Sequence, residues 1–157
     1  ERELKLSRVN KQTNKMVQYW LLKTEPDEWS WQHQETNNGI SQWDGVRNAQ
    51  AQNNMKAMKV GDPCFFYHSG KSKQIVGIVK VVKEFYAEPS EPSGKYGMVD
   101  VEAVCLLENP VSLAQIKKED ECKDFTLIKQ PRLSVVPVPH NVWQHLCHLG
   151  GCPDLVN

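Results

Sequence analysis

The chain has 157 residues, 39% hydrophobic and 24% charged, the balance of one globular domain with its own core. Its 19 basic and 19 acidic residues cancel, so the chain as a whole lacks the basic excess of proteins held on duplex DNA by phosphate neutralisation, and any nucleic-acid contact must be local. The longest apolar run, Ile75 to Val82, is broken by Gly77 and Lys80 and falls far short of the roughly 20 residues of a bilayer-spanning helix.

Residues 1–16 read as a flexible basic arm, and residues 17–157 as the folded domain. Arg2, Lys5, Arg8, Lys11 and Lys15 oppose only Glu1 and Glu3 there, leaving the excess of acid to the rest of the chain. The arm has no apolar stretch of secretory type and begins at Glu1 rather than methionine, so it reads as a trimmed remnant of a longer precursor. Five cysteines form no Cys-x-x-Cys pair. That pattern fits reduced thiols inside the cell, in nucleus or cytoplasm, better than a disulfide framework.

The first strand is expected at Gln18-Tyr19-Trp20-Leu21-Leu22, ended by Lys23-Thr24-Glu25-Pro26. Ser30 is placed to cap a short helix that stops near Asn37-Asn38-Gly39, and a loop then delivers Trp43. Asn48 caps a second helix to about Lys59, with Ala51, Met55 and Met58 on one face. Cys64 to Ser69 and Gln74 to Phe85 read as strands joined by a tight turn, Ala87 to Tyr96 as an exposed loop, and Met98 to Leu107 as another strand. A short helix near Leu113 and Ile116, a polar connection at Asp120 to Lys123, a last strand from Leu133 to Val138, and a helix opened by Pro139 and stopped at Gly150-Gly151 complete the chain. Five or six strands with locally inserted helices give an α+β domain, a small mixed, partly closed β-barrel with flanking helices.

Two segments carry the functional signal. Trp43-Asp44-Gly45-Val46-Arg47-Asn48 sets an aromatic face beside a turn glycine, a planar cation and a helix start, which suits a flat heteroaromatic ligand such as a nucleobase. Trp43 either fills the core or stacks on a base, Arg47 either makes an ion pair or meets phosphate, and Asn48 caps the helix with or without reading a base edge. In Phe65 to Ser69, alternation puts Phe65, Tyr67 and Ser69 on one face and Phe66 and His68 on the other, one face being core. Tyr67 and Ser69 offer hydroxyls, and His68 reads as a structural histidine. Lys23, Thr24 and Glu25 reach the barrel mouth, and one of Trp29 and Trp31 closes an aromatic cage while the other anchors the helix. Gln130, Arg132 and Ser134 complete the site from the last strand, with Leu133 beside them turned to the core. The His145, Cys147, His148 and Cys152 group lacks the spacing of a zinc site.

The order of motifs resembles the EVE domain of the PUA-like superfamily, a relative of the YTH and ASCH domains. The resemblance rests on Trp20 to Pro26, Trp43 to Asn48, Ala57 to Asp62, Phe66 to Ser69, Ile75 to Ile78, Val99 to Val101 and Gln130 to Val135. It implies a β-barrel whose concave site holds a modified base, here a modified cytosine. The expected base-binding set is Lys23, Thr24, Trp29, Trp43, Gly45, Val46, Arg47, Asn48, Tyr67, His68, Ser69, Arg132, Leu133 and Ser134. The expected partner is DNA or RNA bearing the modified base, bound by a monomer with no membrane contact, cofactor, metal or catalytic residue. Two departures from the family pattern are Ala49, where an aromatic is usual, and Gln52, where an arginine is usual; the first would alter the pocket, the second its phosphate affinity. The alternatives are an RNA-processing or nucleic-acid-modifying enzyme using His68 or His33 as general base, and a peptide-binding module.

Overall fold

A computed structural model describes residues 17–152; the basic arm of residues 1–16 and residues 153–157 lie outside the described residues. Helix starts follow the short polar side chains. Ser30 accepts from the His33 N–H at 3.2 Å while His33 Nδ1 accepts from the Ser30 N–H at 2.9 Å, a reciprocal cap that opens α1 (Trp31–Thr36). Asn48 accepts from the Ala51 N–H at 2.9 Å and opens α2 (Ala49–Ala57), which buries Ala51 and Met55. The remaining helices are α3 (Leu113–Lys118), α4 (Thr126–Lys129) and α5 (His140–Gly150), with a 3-10 turn at Asp120–Cys122.

Six strands, β1 (Tyr19–Thr24), β2 (Ile40–Trp43), β3 (Pro63–His68), β4 (Gln74–Ala87), β5 (Gly97–Ser112) and β6 (Val135–Val138), form one sheet in the order β2-β5-β4-β3-β1-β6. All pairs are antiparallel except β1 with β3. The expected barrel is corrected: among the described residues no ladder joins the edge strands β2 and β6, so the sheet is open. It is nevertheless strongly curled. The β4–β5 pairing shifts register at four places and β3–β4 at one, and each such irregularity bends the strand and increases its twist. The segment expected to be a loop before Trp43 is β2, a short edge strand held on Val99 to Glu102 of β5, and α4 was not anticipated.

Aromatic packing fixes what lies on either side of the sheet. The expectation of one buried face on β3 is also corrected, since Phe65, Phe66 and Tyr67 are all buried. On one side Phe65 stacks on Trp143 of α5 at 3.9 Å between centroids; on the other, Phe66 meets Trp31 and Trp43 edge-on at 5.3 and 5.6 Å. The Trp31 ring also lies over Gly77 of β4, where an added Cβ would come within 2.5 Å of the ring. Gly77 is therefore the seat of α1. Gly77→Ala is expected to cost about 1–3 kcal/mol by overpacking, read as a lower thermal midpoint; an unchanged midpoint would show that the ring is not held there.

Candidate functional site

The curl of the sheet brings residues from both of its edges around one cavity of about 630 Å³. The end of β1 supplies Lys23, Thr24 and Glu25, the following turn Glu28 and Trp29, and the end of α1 Asn37. The β2 edge supplies Ser41, Gln42 and Trp43, the next loop Asp44 to Arg47, and the approach to β6 Ser134. Lys23 N–H bonds the Ser134 carbonyl at 3.0 Å and so holds that approach against β1. A second cavity of about 640 Å³, lined by Tyr19, Pro137, Pro139, His140 and their neighbours, is mostly apolar and contains none of the expected site residues.

Buried amides position the walls. Gln34, fully buried in α1, accepts from Trp29 Nε1 at 2.9 Å and from the Ser41 hydroxyl at 2.6 Å, and donates to the Gly39 carbonyl at 2.8 Å. One side chain thus joins the Trp29 wall to the β2 wall. The Thr24 hydroxyl adds a 2.7 Å bond to the Trp29 carbonyl. Trp43 is 7% exposed; it packs against Phe66 and also borders the cavity, so core and pocket lining are one role.

The loop from Asp44 to Arg47 turns at Gly45, whose φ of +78° suits glycine. Gln52 holds it from within, donating to the Val46 carbonyl at 2.8 Å and to the Gly97 carbonyl at 3.0 Å while accepting from the Gly97 N–H at 3.1 Å. Glu88, 6% exposed, holds it from outside through two 3.0 Å bonds from the Arg47 guanidinium. Hydrogen bonding to Arg47 keeps the Glu88 carboxyl below its ordinary range and raises the guanidinium in turn. The Arg47 guanidinium also lies over the Tyr96 ring, 4.5 Å from its centroid. Lys23 donates to the Pro131 carbonyl at 2.8 Å, and its burial lowers the ammonium pKa.

The EVE domain family matches residues 18–149. The chain belongs to the EVE domain family. Thymocyte nuclear protein 1 of Rattus norvegicus is 34% identical over 164 residues, covering 83% of this chain and 73% of the relative. A protein from Rhodopseudomonas palustris solved by NMR superposes with a TM-score of 0.81 at 44% identity, over 86% of this chain and 94% of that one. Human THYN1, solved in complex with DNA containing 5-methylcytosine, superposes with a TM-score of 0.80 at 30% identity, over 85% of this chain and 98% of that one.

In this EVE domain, Lys23, Thr24, Trp29, Trp43, Gly45, Val46, Arg47 and Ser134 of the expected set border the cavity. Asn48, Tyr67, His68, Ser69, Arg132 and Leu133 do not. Asn48 is spent on its cap. Tyr67 is buried below the Lys23 ammonium, 5.8 Å from its ring, and burial pushes its hydroxyl pKa up to about 12. Ser69 continues β3 with an N–H bond to the Thr24 carbonyl at 2.9 Å, Leu133 is core, and Arg132 is exposed away from the cavity. Of the two tryptophans flanking Ser30, Trp29 faces the cavity and Trp31 anchors the helix. Of the two departures from the family pattern, Ala49 is exposed outside the cavity lining and Gln52 is buried with its amide bonded inward. Glu25, expected at the barrel mouth, also borders the cavity; sequence reading missed Glu28, Asn37, Ser41, Gln42 and Asp44 on the walls, and Gln34 and Glu88 behind them, and the available signal was the position of several beside residues already named. Among the described residues no group of three or more His, Cys, Asp or Glu is arranged to hold a metal, and no helix is long and apolar enough to cross a membrane.

His68 Nε2 accepts from the Trp31 N–H at 3.1 Å, tying β3 to the first turn of α1. Burial lowers the imidazole pKa, opposed in part by the nearby Glu25 carboxylate. The neutral ring is favoured by folding, so its contribution is present above the unfolded value of about 6.5 and is lost as pH falls through the lower folded value. The thermal midpoint is expected to drop between pH 7.5 and pH 5, and His68→Gln, which keeps an acceptor without titrating, should flatten that drop. An equal drop in the variant would assign the pH dependence elsewhere.

Proposed function

We propose that this EVE domain is a noncatalytic reader that accepts a modified, flipped-out nucleobase, a modified cytosine, in the cavity between the two edges of its sheet. The observation that carries the reading is the cavity itself: a concavity of about 630 Å³, ample for a base, walled by Trp29 and Trp43, in a fold shared with a human relative solved on 5-methylcytosine DNA. Extruding a base costs a few kcal/mol, and stacking on an indole returns on the order of 1–3 kcal/mol. The remaining specificity comes from the edge of the base. The exocyclic amine of cytosine is a donor and is met by acceptors, a role that carboxylates fill; Glu28 and Asp44 provide them at the rim.

The basic arm of residues 1–16 supplies phosphate contacts to the flanking strand, and the domain acts as a monomer on DNA or RNA in the nucleus, in keeping with relatives named as nuclear proteins. The enzymatic alternative finds less support. His68 is bonded to the Trp31 amide, and His33 Nδ1 is occupied by the Ser30 cap, so both proposed general bases already serve as structural acceptors.

The test is a titration of tryptophan fluorescence and anisotropy with short oligonucleotides carrying one 5-methylcytosine, one 5-hydroxymethylcytosine, one N6-methyladenine or no modification. A modified cytosine should bind saturably and most tightly. Trp29→Leu should weaken it by about 5- to 150-fold, the equivalent of 1–3 kcal/mol of stacking. Equal affinity for all four probes, or an unchanged affinity in the variant, would contradict the proposal.

A further inference from the structure

Arg47 lies on the rim of the cavity, where a free guanidinium would be expected to take backbone phosphate. With its side chain 44% exposed, it could do so only in competition with partners that already engage it. Both terminal nitrogens face the Glu88 carboxylate at 3.0 Å, the carboxylate is almost fully buried, and the guanidinium lies over the Tyr96 ring, 4.5 Å from its centroid. The segment that carries these partners is itself tied down: Glu88 N–H bonds the Tyr96 carbonyl at 3.0 Å, and Glu91, the next carboxylate beside Arg47, is engaged by Ser93. With Arg47 neutralised, the cavity rim carries Lys23 against Glu25, Glu28 and Asp44. A rim of that sign repels phosphate and leaves a neutral ring as the favoured occupant.

We infer that Glu88 is a specificity-determining positioning residue: by sequestering Arg47 it insulates the cavity from the nucleic-acid backbone, so that binding depends on the base and not on charge. The inference rests on the proposed reading of the cavity as a base site. It assigns to the buried ion pair a function in discrimination, which a simple brace for the Gly45 turn would not have. A phosphate contact made equally with the base inserted would multiply both affinities and leave their ratio unchanged; a freed Arg47 instead strengthens a charge-only mode, open to every sequence with its bases still stacked, and raising that shared background erodes the ratio. Glu88 removes that contribution at its source.

The experiment measures binding of Glu88→Gln to one oligonucleotide with and without 5-methylcytosine across a series of salt concentrations. Release of Arg47 should raise affinity for the unmodified strand about fivefold at low salt and steepen the dependence of log K on log salt by about 0.7–0.9, the signature of one added phosphate contact. The ratio of methylated to unmethylated affinity should fall, and the double variant Arg47→Gln/Glu88→Gln should return the salt slope to the wild-type value. Glu88→Asp, too short to keep both bonds, should shift the slope the same way by less, and serves if the glutamine variant does not fold. An unchanged slope overturns the inference, even if discrimination falls, because Glu88 would then only brace the loop. A steeper slope that persists in the double variant overturns it too, by assigning the new contact to another cation. If the wild-type protein fails to discriminate methylation, the base-reading proposal fails, while the salt slopes on the unmodified strand still decide whether Glu88 sequesters Arg47.

Discussion

The curvature of the β4–β5 pair is the constraint on which the rest of this domain depends. Two long strands that shift register four times cannot stay flat, and the sheet they build curls until its edges, β2 and the approach to β6, face one another across a gap. The gap is the cavity. A closed barrel of the same strands would have sealed it with backbone hydrogen bonds; an untwisted sheet would have left Trp43 and Ser134 far apart. The parallel pairing of β1 with β3 does the complementary work. It obliges the chain between them to cross over, and that crossover supplies α1, β2 and α2, carrying Trp29, Trp43 and the Gly45 turn to the rim.

The walls are held by polar groups taken out of water, each nearly saturated with partners. Gln34 and Gln52 make three hydrogen bonds apiece at 3.1 Å or less, and Glu88 receives two. Truncating either glutamine leaves a buried partner unsatisfied, at about 1–3 kcal/mol per group. Such groups place the walls more sharply than apolar packing does, because a hydrogen bond constrains direction as well as distance. Separating bases that differ by one methyl group, as the proposed function requires, calls for walls of this kind.

What was legible in the sequence followed the range of the interaction. Ser30 and Asn48 were readable as caps because their partners lie three residues away. The apolar face of α2 and the final helix were readable from periodicity, and the strands from β-branched and aromatic runs. Gln34, Gln52 and Glu88 were not readable. Their partners include Ser41, Gly97 and Arg47, brought near by the curl and the crossover, and a polar residue carries no mark of burial until the fold supplies its partner. Glu88 sits in a stretch of prolines, serines and glycine that reads as an exposed loop, and most of it is one. For the same reason Tyr67 and His68 were drawn into the expected pocket from their polarity, whereas β3 runs through the middle of the sheet, burying Tyr67 and leaving His68 half-buried against the Trp31 amide. The segment Trp43 to Arg47, which carries part of the resemblance, borders the cavity; of the other wall, Trp29, Ser134 and the end of β1 were legible.

The central claim is that the gap between the sheet edges receives a base. A crystal structure of the protein with a short DNA duplex carrying one 5-methylcytosine tests it most directly. The account predicts the methylated base out of the stack, its ring against Trp29 and Trp43 and its amine facing the carboxylate rim, with Arg47 still paired to Glu88. A duplex bound with the methylated base stacked in the helix and the cavity empty would contradict it.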